Sequence, residues 1–169
     1  MGAAMGQPKT PENAARLSEE RAKQARARYA PPQARKPFTS EEIFTALNDN
    51  EIGDAKLLAS AMQERFVFDS KRGVFFRFEG GYWKKDLENE CRPVAVNIFQ
   101  EAYGAEAARQ AAVANNPVAD KETQDAARQR MERCNKRLER VKTLHRLENT
   151  LKLAASGLEG LAIPESAKG

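Results

Sequence analysis

The stretch VFFRFEGGYWKKD, residues 74–86, holds five of the twelve aromatic side chains of this 169-residue chain around one Gly-Gly pair. Apolar and polar residues alternate on both sides of Gly80-Gly81, which is the period of a β-strand. A two-residue Gly-Gly connection is typical of a hairpin, because primed turns require positive φ. With FVFD at residues 66–69, the stretch predicts a meander of three short antiparallel strands.

The alternation divides the rings between two faces of the meander. Phe76 and Phe78 share one face, whereas Phe75 lies on the other. A small sheet must bury one face against helices to be stable. We therefore expect Phe76 and Phe78 in the core, joined by one of Tyr82 and Trp83.

The opposite face is a candidate surface for single-stranded nucleic acid. Stacking of one base on an exposed ring is worth about 1–3 kcal/mol, so a ring beside cationic side chains suits this use. Plain packing and solvated charge are the alternative interpretation. The candidate residues are Phe75, Arg77, Trp83, Lys84 and Lys85.

Helices are predicted on both sides of the meander. Thr39 and Glu42 have capping-box spacing and predict a helix over 40–47, and apolar spacing predicts a second over 51–64. A third begins near residue 92 and weakens or ends at Gly104; a long one covers 120–142, and a further or bent helix ends near Gly157. The predicted fold class is α+β, mostly α-helical: a small three-stranded antiparallel meander packed against helices, with long C-terminal helices. We expect one domain over 38–163 and a tail over 164–169.

The charge is divided into blocks along the chain, although the net charge is only +4. Residues 1–37 carry eight Lys or Arg against three Asp or Glu, and 38–120 carry nine against fourteen. Residues 121–152 carry ten against five. Segment 1–37 has few large apolar residues and ends in YAPPQARKPF, which predicts a disordered or loosely helical basic arm. Two separate basic blocks favour contact with a polyanion.

The second basic block is organised as a ridge. Its arginines recur at intervals of three, four and three residues, beside an apolar stripe of Met131, Cys134, Leu138 and Val141. The guanidinium fork suits phosphate, but interleaved glutamates could equally make this a salt-bridged surface. The candidate phosphate contacts are Arg130, Arg133, Lys136, Arg137 and Arg140.

Several chemistries lack the residues they need. No nucleotide-phosphate loop occurs, and two distant cysteines with one histidine indicate neither a metal site nor a catalytic group. We therefore predict no catalytic residues, no metal and no cofactor. No apolar run approaches the roughly 20 residues of a membrane helix, so we expect a soluble, cytoplasmic protein with no membrane partner.

The stretch NEIGDAKLLASAMQERFVFDSKRGVFFRFEGGYWKKD, residues 50–86, resembles the domain that precedes the motor in phage, plasmid and poxvirus-type primase-helicases. The similarity lies in a Gly-Asp-Ala helix start, an R-F-x-F-D strand and an aromatic strand with glycines, found here at residues 53–55, 65–69 and 76–83. NTLKLAASGLEGLAI, residues 149–163, is similar to the helix leading to that motor. The motor itself does not follow, so we expect a part of a longer protein or a standalone derivative.

The resemblance implies an accessory role in DNA replication, in a bacterial or phage-infected cell and close to the nucleoid. The predicted function is a non-catalytic module that binds single-stranded or forked DNA with low sequence specificity and links to a helicase motor. The alternative is an oligomerisation or helicase-docking domain without direct DNA binding, in which the chain associates with itself. An independent enzyme is the third possibility, and the one that the residues favour least.

Overall fold

A computed structural model of the chain describes residues 36–156 and 160–162. Its helices are α1 (Ser40–Asn48), α2 (Asn50–Met62), α3 (Cys91–Phe99), α4 (Ala105–Ala114), α5 (Lys121–Val141) and α6 (Leu144–Ala155), and its strands are β1 (Phe66–Asp69), β2 (Val74–Glu79) and β3 (Tyr82–Lys85). The prediction of a mostly helical α+β fold is confirmed. Most of the predicted arm, the tail and the helix cap at Gly157 lie outside the described residues.

The three strands form the predicted antiparallel meander in the order β1-β2-β3. Phe68 lies opposite Phe75, and Phe78 lies opposite Trp83. Gly80 and Gly81 connect β2 to β3 with φ of 59° and 93°, the left-handed values that a two-residue hairpin requires. At the free edge of β1, the Phe68 backbone nitrogen donates to the Leu161 carbonyl at 2.7 Å. Residues near 161 therefore pair with β1 through a single bridge.

The prediction that Phe76 and Phe78 lie in the core, which rests on the alternation along β2 alone, is wrong. Phe66 is only 3% exposed, and Phe68 and Phe75 pack on the core beside it. Phe76 and Phe78 are half-buried on the opposite side, which we call the distal face: Val67, Asp69, Val74, Phe76, Phe78, Trp83 and Lys85. The start of β1, directly after α2, fixes which side meets the helices, and the register then turns Phe75 inward.

Neither ring of β3 joins the core, contrary to the prediction that one of them would. Tyr82 is 56% exposed and Trp83 is 42% exposed. Tyr82 lies on the core side of the sheet but beyond its covered part, whereas Trp83 lies on the distal face. The meander therefore packs one face of its first two strands against the core and leaves the rings of the third accessible.

Helices α1 and α2 form a tight corner. The predicted capping box is present: the Thr39 side chain accepts from the Glu42 backbone, and the Glu42 carboxylate accepts from the Thr39 backbone at 2.7 Å. At Gly53 the backbones approach so closely that a Cβ would lie 2.2 Å from the Ala46 carbonyl oxygen. Ile52 is part of the apolar spacing that predicts α2, but its side chain is exposed.

Helix α3 continues into α4 through one π-helical turn, Gln100–Gly104. The prediction that the helix weakens or ends at Gly104 is met in part: the π turn ending at Gly104 interrupts the α-helix, but the helical path persists to Ala114 and stops before Pro117. The extra residue of a π turn rotates the side chains that follow it. Tyr103 lies within this turn, is fully buried, and donates its hydroxyl to Asp54 of α2 at 2.6 Å.

Helices α5 and α6 are separate, because Lys142 and Thr143 interrupt the helical path. α5 packs most extensively on α4, and α6 packs on α2. The predicted stripe is confirmed, with Cys134, Leu138 and Val141 buried and Met131 partly buried against the core. None of the described helices combines the length and apolarity needed to cross a membrane.

Candidate nucleic-acid interface

Helix α5 carries most of the candidate phosphate contacts along one edge. Its first turn is fixed by Asp120, whose carboxylate accepts from the Thr123 backbone nitrogen at 2.8 Å. The buried stripe then orients the helix, and at 3.6 residues per turn the arginines fall on the edge beside it. The fold thus places the ridge where the sequence predicts it, with one exception.

The exception is Arg137, which was predicted to face phosphate and is buried instead. Its guanidinium donates to the Asp54 carboxylate at 3.1 Å, to the Leu47 carbonyl at 3.1 Å and to the Asn50 side-chain oxygen at 3.0 Å. Asn50 adopts a left-handed φ of 54°, which directs the corner between α1 and α2 towards this guanidinium. Arg137 is therefore committed to the interior and is removed from the candidate interface.

Asp54 is the centre of a buried ionic cluster. Besides Arg137 it accepts from the Tyr103 hydroxyl at 2.6 Å and from Arg146 at 3.0 Å, and Arg146 also pairs with Glu51. Burial raises the pKa of Asp54 above its usual value, although Tyr103 and Arg137 oppose the change. Burial likewise lowers the pKa of Arg146 and, helped by Asp54, raises that of Tyr103. The cluster joins α2, α5, α6 and the π turn.

Sequence reasoning did not assign this cluster, although a signal for it exists. Asp54 stands between the buried Gly53 and Ala55 of α2, and Arg146 precedes the buried Leu147 on α6. Charged side chains are almost never fully buried unless they are paired. A carboxylate and a guanidinium on apolar stripes of two helices therefore indicate that those helices meet there.

The other cations of the α5 ridge remain exposed, and we call them the α5 basic edge: Arg130, Arg133, Lys136 and Arg140. The Arg130 guanidinium lies 5.1 Å from the centre of the Phe44 ring, and Arg133 donates to the Asn48 side-chain oxygen at 2.8 Å. Within residues 36–156 and 160–162, no carboxylate pairs with any of the four. The salt-bridged alternative therefore does not apply to them, since Glu132 and Glu139 form no ion pair there either.

The candidate residues of the sheet are not brought together. Phe75, Arg77 and Lys84 belong to the core side, whereas Trp83 and Lys85 lie on the distal face. Arg77 pairs with Glu90 and, at 3.0 Å, with Glu79. The predicted grouping of five residues on one surface is therefore wrong.

Charge on the core side of β3 is largely neutralised. Lys84 lies 3.2 Å from the Glu79 carboxylate and 5.1 Å from the centre of the Tyr82 ring. The hydrogen bond from Lys84 and the charge of Arg77 lower the pKa of Glu79, and the bond to Glu90 raises that of Arg77. These cations already have anionic partners, so this side is poorly suited to phosphate.

The cysteine thiols and the acidic side chains do not suggest a nucleophile or a metal site among the described residues. Burial raises the pKa of Cys91 to about 12 and that of Cys134 to about 11, so both are poor nucleophiles. In the part of the chain that the structure describes, no three His, Cys, Asp or Glu side chains are grouped so as to hold a metal ion. The exposed cations on α5 and β3 are thus the candidate site that the fold presents.

Comparison with known proteins adds nothing to this geometry, since no protein-family model, curated protein or solved structure matches the chain. The resemblance to primase-helicase accessory domains stays a prediction. The structure does give its motifs local roles: Gly53 permits close packing, Asp54 centres the ionic cluster, and Asp69 accepts from the Lys71 and Arg72 backbone in the turn after β1.

Proposed function

We propose that the chain is a non-catalytic module that binds nucleic acid with low sequence specificity through the α5 basic edge. The observation that supports this most is that Arg130, Arg133, Lys136 and Arg140 are exposed on one helix edge without a carboxylate partner among the described residues. Unpaired cations at helical spacing can each neutralise a phosphate and release a counterion. A salt-bridged surface would have to break its own pairs first.

The counterion argument predicts the size of the salt effect. Each neutralised phosphate contributes about −0.7 to the log-log salt slope for a single strand and about −0.9 for a duplex. Four contacts then lower the affinity about 50- to 150-fold between about 50 and about 200 mM salt. Contacts to phosphate carry no sequence information, so this effect should not depend on sequence.

The test is a fluorescence anisotropy titration of labelled single-stranded and duplex DNA at several salt concentrations. The triple variant R130Q/R133Q/R140Q should flatten the salt slope by about 2–3 and weaken binding at low salt. The charge-matched control is K56Q/K121Q/K152Q, which removes three exposed cations outside the α5 basic edge. Absence of binding at low salt, or equal effects of the two variants, would contradict the proposal.

We propose further that the module acts beside a replicative helicase motor. This rests on the resemblance of residues 50–86 and 149–163 alone. Interferometry with the immobilised chain and a purified superfamily-three motor domain tests it. Saturable binding is expected, and no response at high motor concentration would count against it.

A second candidate function is docking to a protein or to another copy of the chain. A groove of about 880 Å³ lies between α2 and α6, and its rim carries Ile52, 60% exposed, and Leu153, 39% exposed. Exposed aliphatic rims are typical of contact surfaces. Light scattering across protein concentrations, with I52Q/L153Q as the comparison, tests this function. A monomer at every concentration would remove self-association.

A further inference from the structure

The distal face of the sheet holds an accessible aromatic ring. Trp83 lies opposite Phe78, with ring centres 5.2 Å apart and an interplanar angle of 62°. Such an edge-to-face pair fixes the orientation of the indole, and Trp83 remains 42% exposed. Phe76, in the neighbouring row, extends the apolar surface.

Cations lie beside these rings. Lys85 lies opposite Phe76. The Phe78 backbone nitrogen donates to the Arg65 carbonyl at 2.9 Å. Arg65 therefore lies beside Phe78, at the end of the cross-strand row that Trp83 and Phe78 form. Both cationic side chains are exposed, and neither forms an ion pair with a described carboxylate. Asp69, the acidic residue of this face, accepts a hydrogen bond from the backbone of the turn after β1 and pairs with Arg72 at 3.7 Å.

We infer that the distal face binds single-stranded nucleic acid, with Trp83 stacking on a base and Lys85 and Arg65 contacting the adjoining phosphates. The inference rests on the proposed function and names its preferred ligand. A ring on a sheet can stack only on a base that has left its neighbours, which a single strand permits and a duplex does not. The α5 basic edge alone would bind either form.

The opposite side of β3 does not offer the same combination. Tyr82 is at least as exposed as Trp83, but Lys84 and Arg77 beside it are paired with Glu79 and Glu90. Phosphate would have to displace these carboxylates. Tyr82 is therefore a matched control: an exposed ring on the same strand, on the wrong side.

The experiment uses the single tryptophan of the chain. Intrinsic fluorescence of the full chain is titrated with a single-stranded oligothymidylate and, separately, with a duplex of equal length, while anisotropy of labelled DNA reports total binding. Quenching of Trp83 by the single strand is expected, with little quenching by the duplex. No substitution is needed for this arm, so it does not depend on a variant that folds.

Variants separate stacking from charge in the anisotropy arm. W83L should weaken single-strand binding about 5- to 150-fold and leave duplex binding unchanged, whereas W83F should retain most of the affinity. Y82L should have little effect on either form. K85Q should reduce the salt slope for the single strand by about 0.7.

The outcomes distinguish this inference from the proposed function. Three results would each overturn the inference and leave the α5 basic edge as the site. They are DNA binding by anisotropy without quenching of Trp83, equal quenching by single strand and duplex, and equal losses of affinity in W83L and Y82L. No binding of either form at low salt removes both. A blue shift of Trp83 emission that grows with protein concentration in the absence of DNA would assign the distal face to contacts between copies and also overturns it.

Discussion

Arg133 and Arg137 lie one turn apart on α5, yet their side chains have different roles. Arg133 is exposed and holds only the Asn48 side-chain oxygen, whereas Arg137 is 8% exposed and bound to Asp54, Leu47 and Asn50. A buried ion pair is not in itself strong evidence of a stability gain, but losing one partner leaves a buried charge uncompensated. The two residues should therefore differ sharply in their sensitivity to substitution.

Arg137→Met should lower the free energy of unfolding by about 3 kcal/mol, because it leaves the Asp54 carboxylate with fewer donors in a desolvated site. Arg133→Met, which removes the same group from the same helix, should change it by less than about 0.5 kcal/mol. Urea denaturation measures both. Equal losses would mean that the buried cluster contributes no more than a surface arginine.

Glu106 shows the opposite pKa shift from Asp54. Its side chain is fully buried, but hydrogen bonds from Gln110 and Arg109 at 2.7 Å and from Ser40 at 2.9 Å outweigh desolvation and hold its pKa below the usual 4.5. The ionised form is thus favoured by folding. Its stabilising effect is present above the pKa of the unfolded chain.

Glu106→Gln should therefore be most destabilising near neutral pH, and the difference from the native chain should shrink as pH falls below about 4.5. Thermal unfolding followed by circular dichroism between pH 7 and pH 3 measures this. Glu132→Gln, on the exposed side of α5, serves as the comparison. A difference that grows on acidification would contradict the assigned direction.

At the scale of elements, patterns that depend on local backbone chemistry were predicted well. Gly80-Gly81 and strict alternation located the strands, and the capping box of Thr39 and Glu42 located the start of α1. Tertiary partners decided the rest. The apolar residues of β2 favoured the wrong face of the sheet, because β1 and its Phe66 determine which side meets the helices. On α5, no local pattern separates the buried Arg137 from the exposed Arg133.

Helix packing also explains two glycines that look alike in sequence. A Cβ at Gly53 would meet the Ala46 backbone, which cannot yield without separating α1 from α2. At Gly104 the nearest atom, 2.3 Å away, is the Gln100 side-chain nitrogen, which can rotate aside. Helix propensity favours alanine at both positions by about 1 kcal/mol.

Gly53→Ala should consequently destabilise the protein by about 1–3 kcal/mol, since overpacking exceeds the gain in propensity. Gly104→Ala should be neutral or stabilising by up to about 1 kcal/mol. Chemical denaturation of the two variants gives the comparison. A neutral Gly53→Ala would show that the corner between α1 and α2 can open without cost.

For the whole molecule, the number of basic residues differs from the number that are accessible at the surface. The basic block over 121–152 keeps four cations on the α5 basic edge and sends Arg137 and Arg146 inward to Asp54. The net charge of +4 does not show this division. Counting basic residues therefore overstates the surface that a phosphate backbone can reach.

The ionic cluster at Asp54 has a consequence for how the chain opens. It draws donors from the π turn, α5 and α6 to one carboxylate on α2, so none of these segments can detach without removing a hydrogen-bond donor from the buried Asp54 carboxylate. Native-state hydrogen exchange should find them releasing their amide protons as a single cooperative unit, with the exposed hairpin tip at Gly80 fraying earlier.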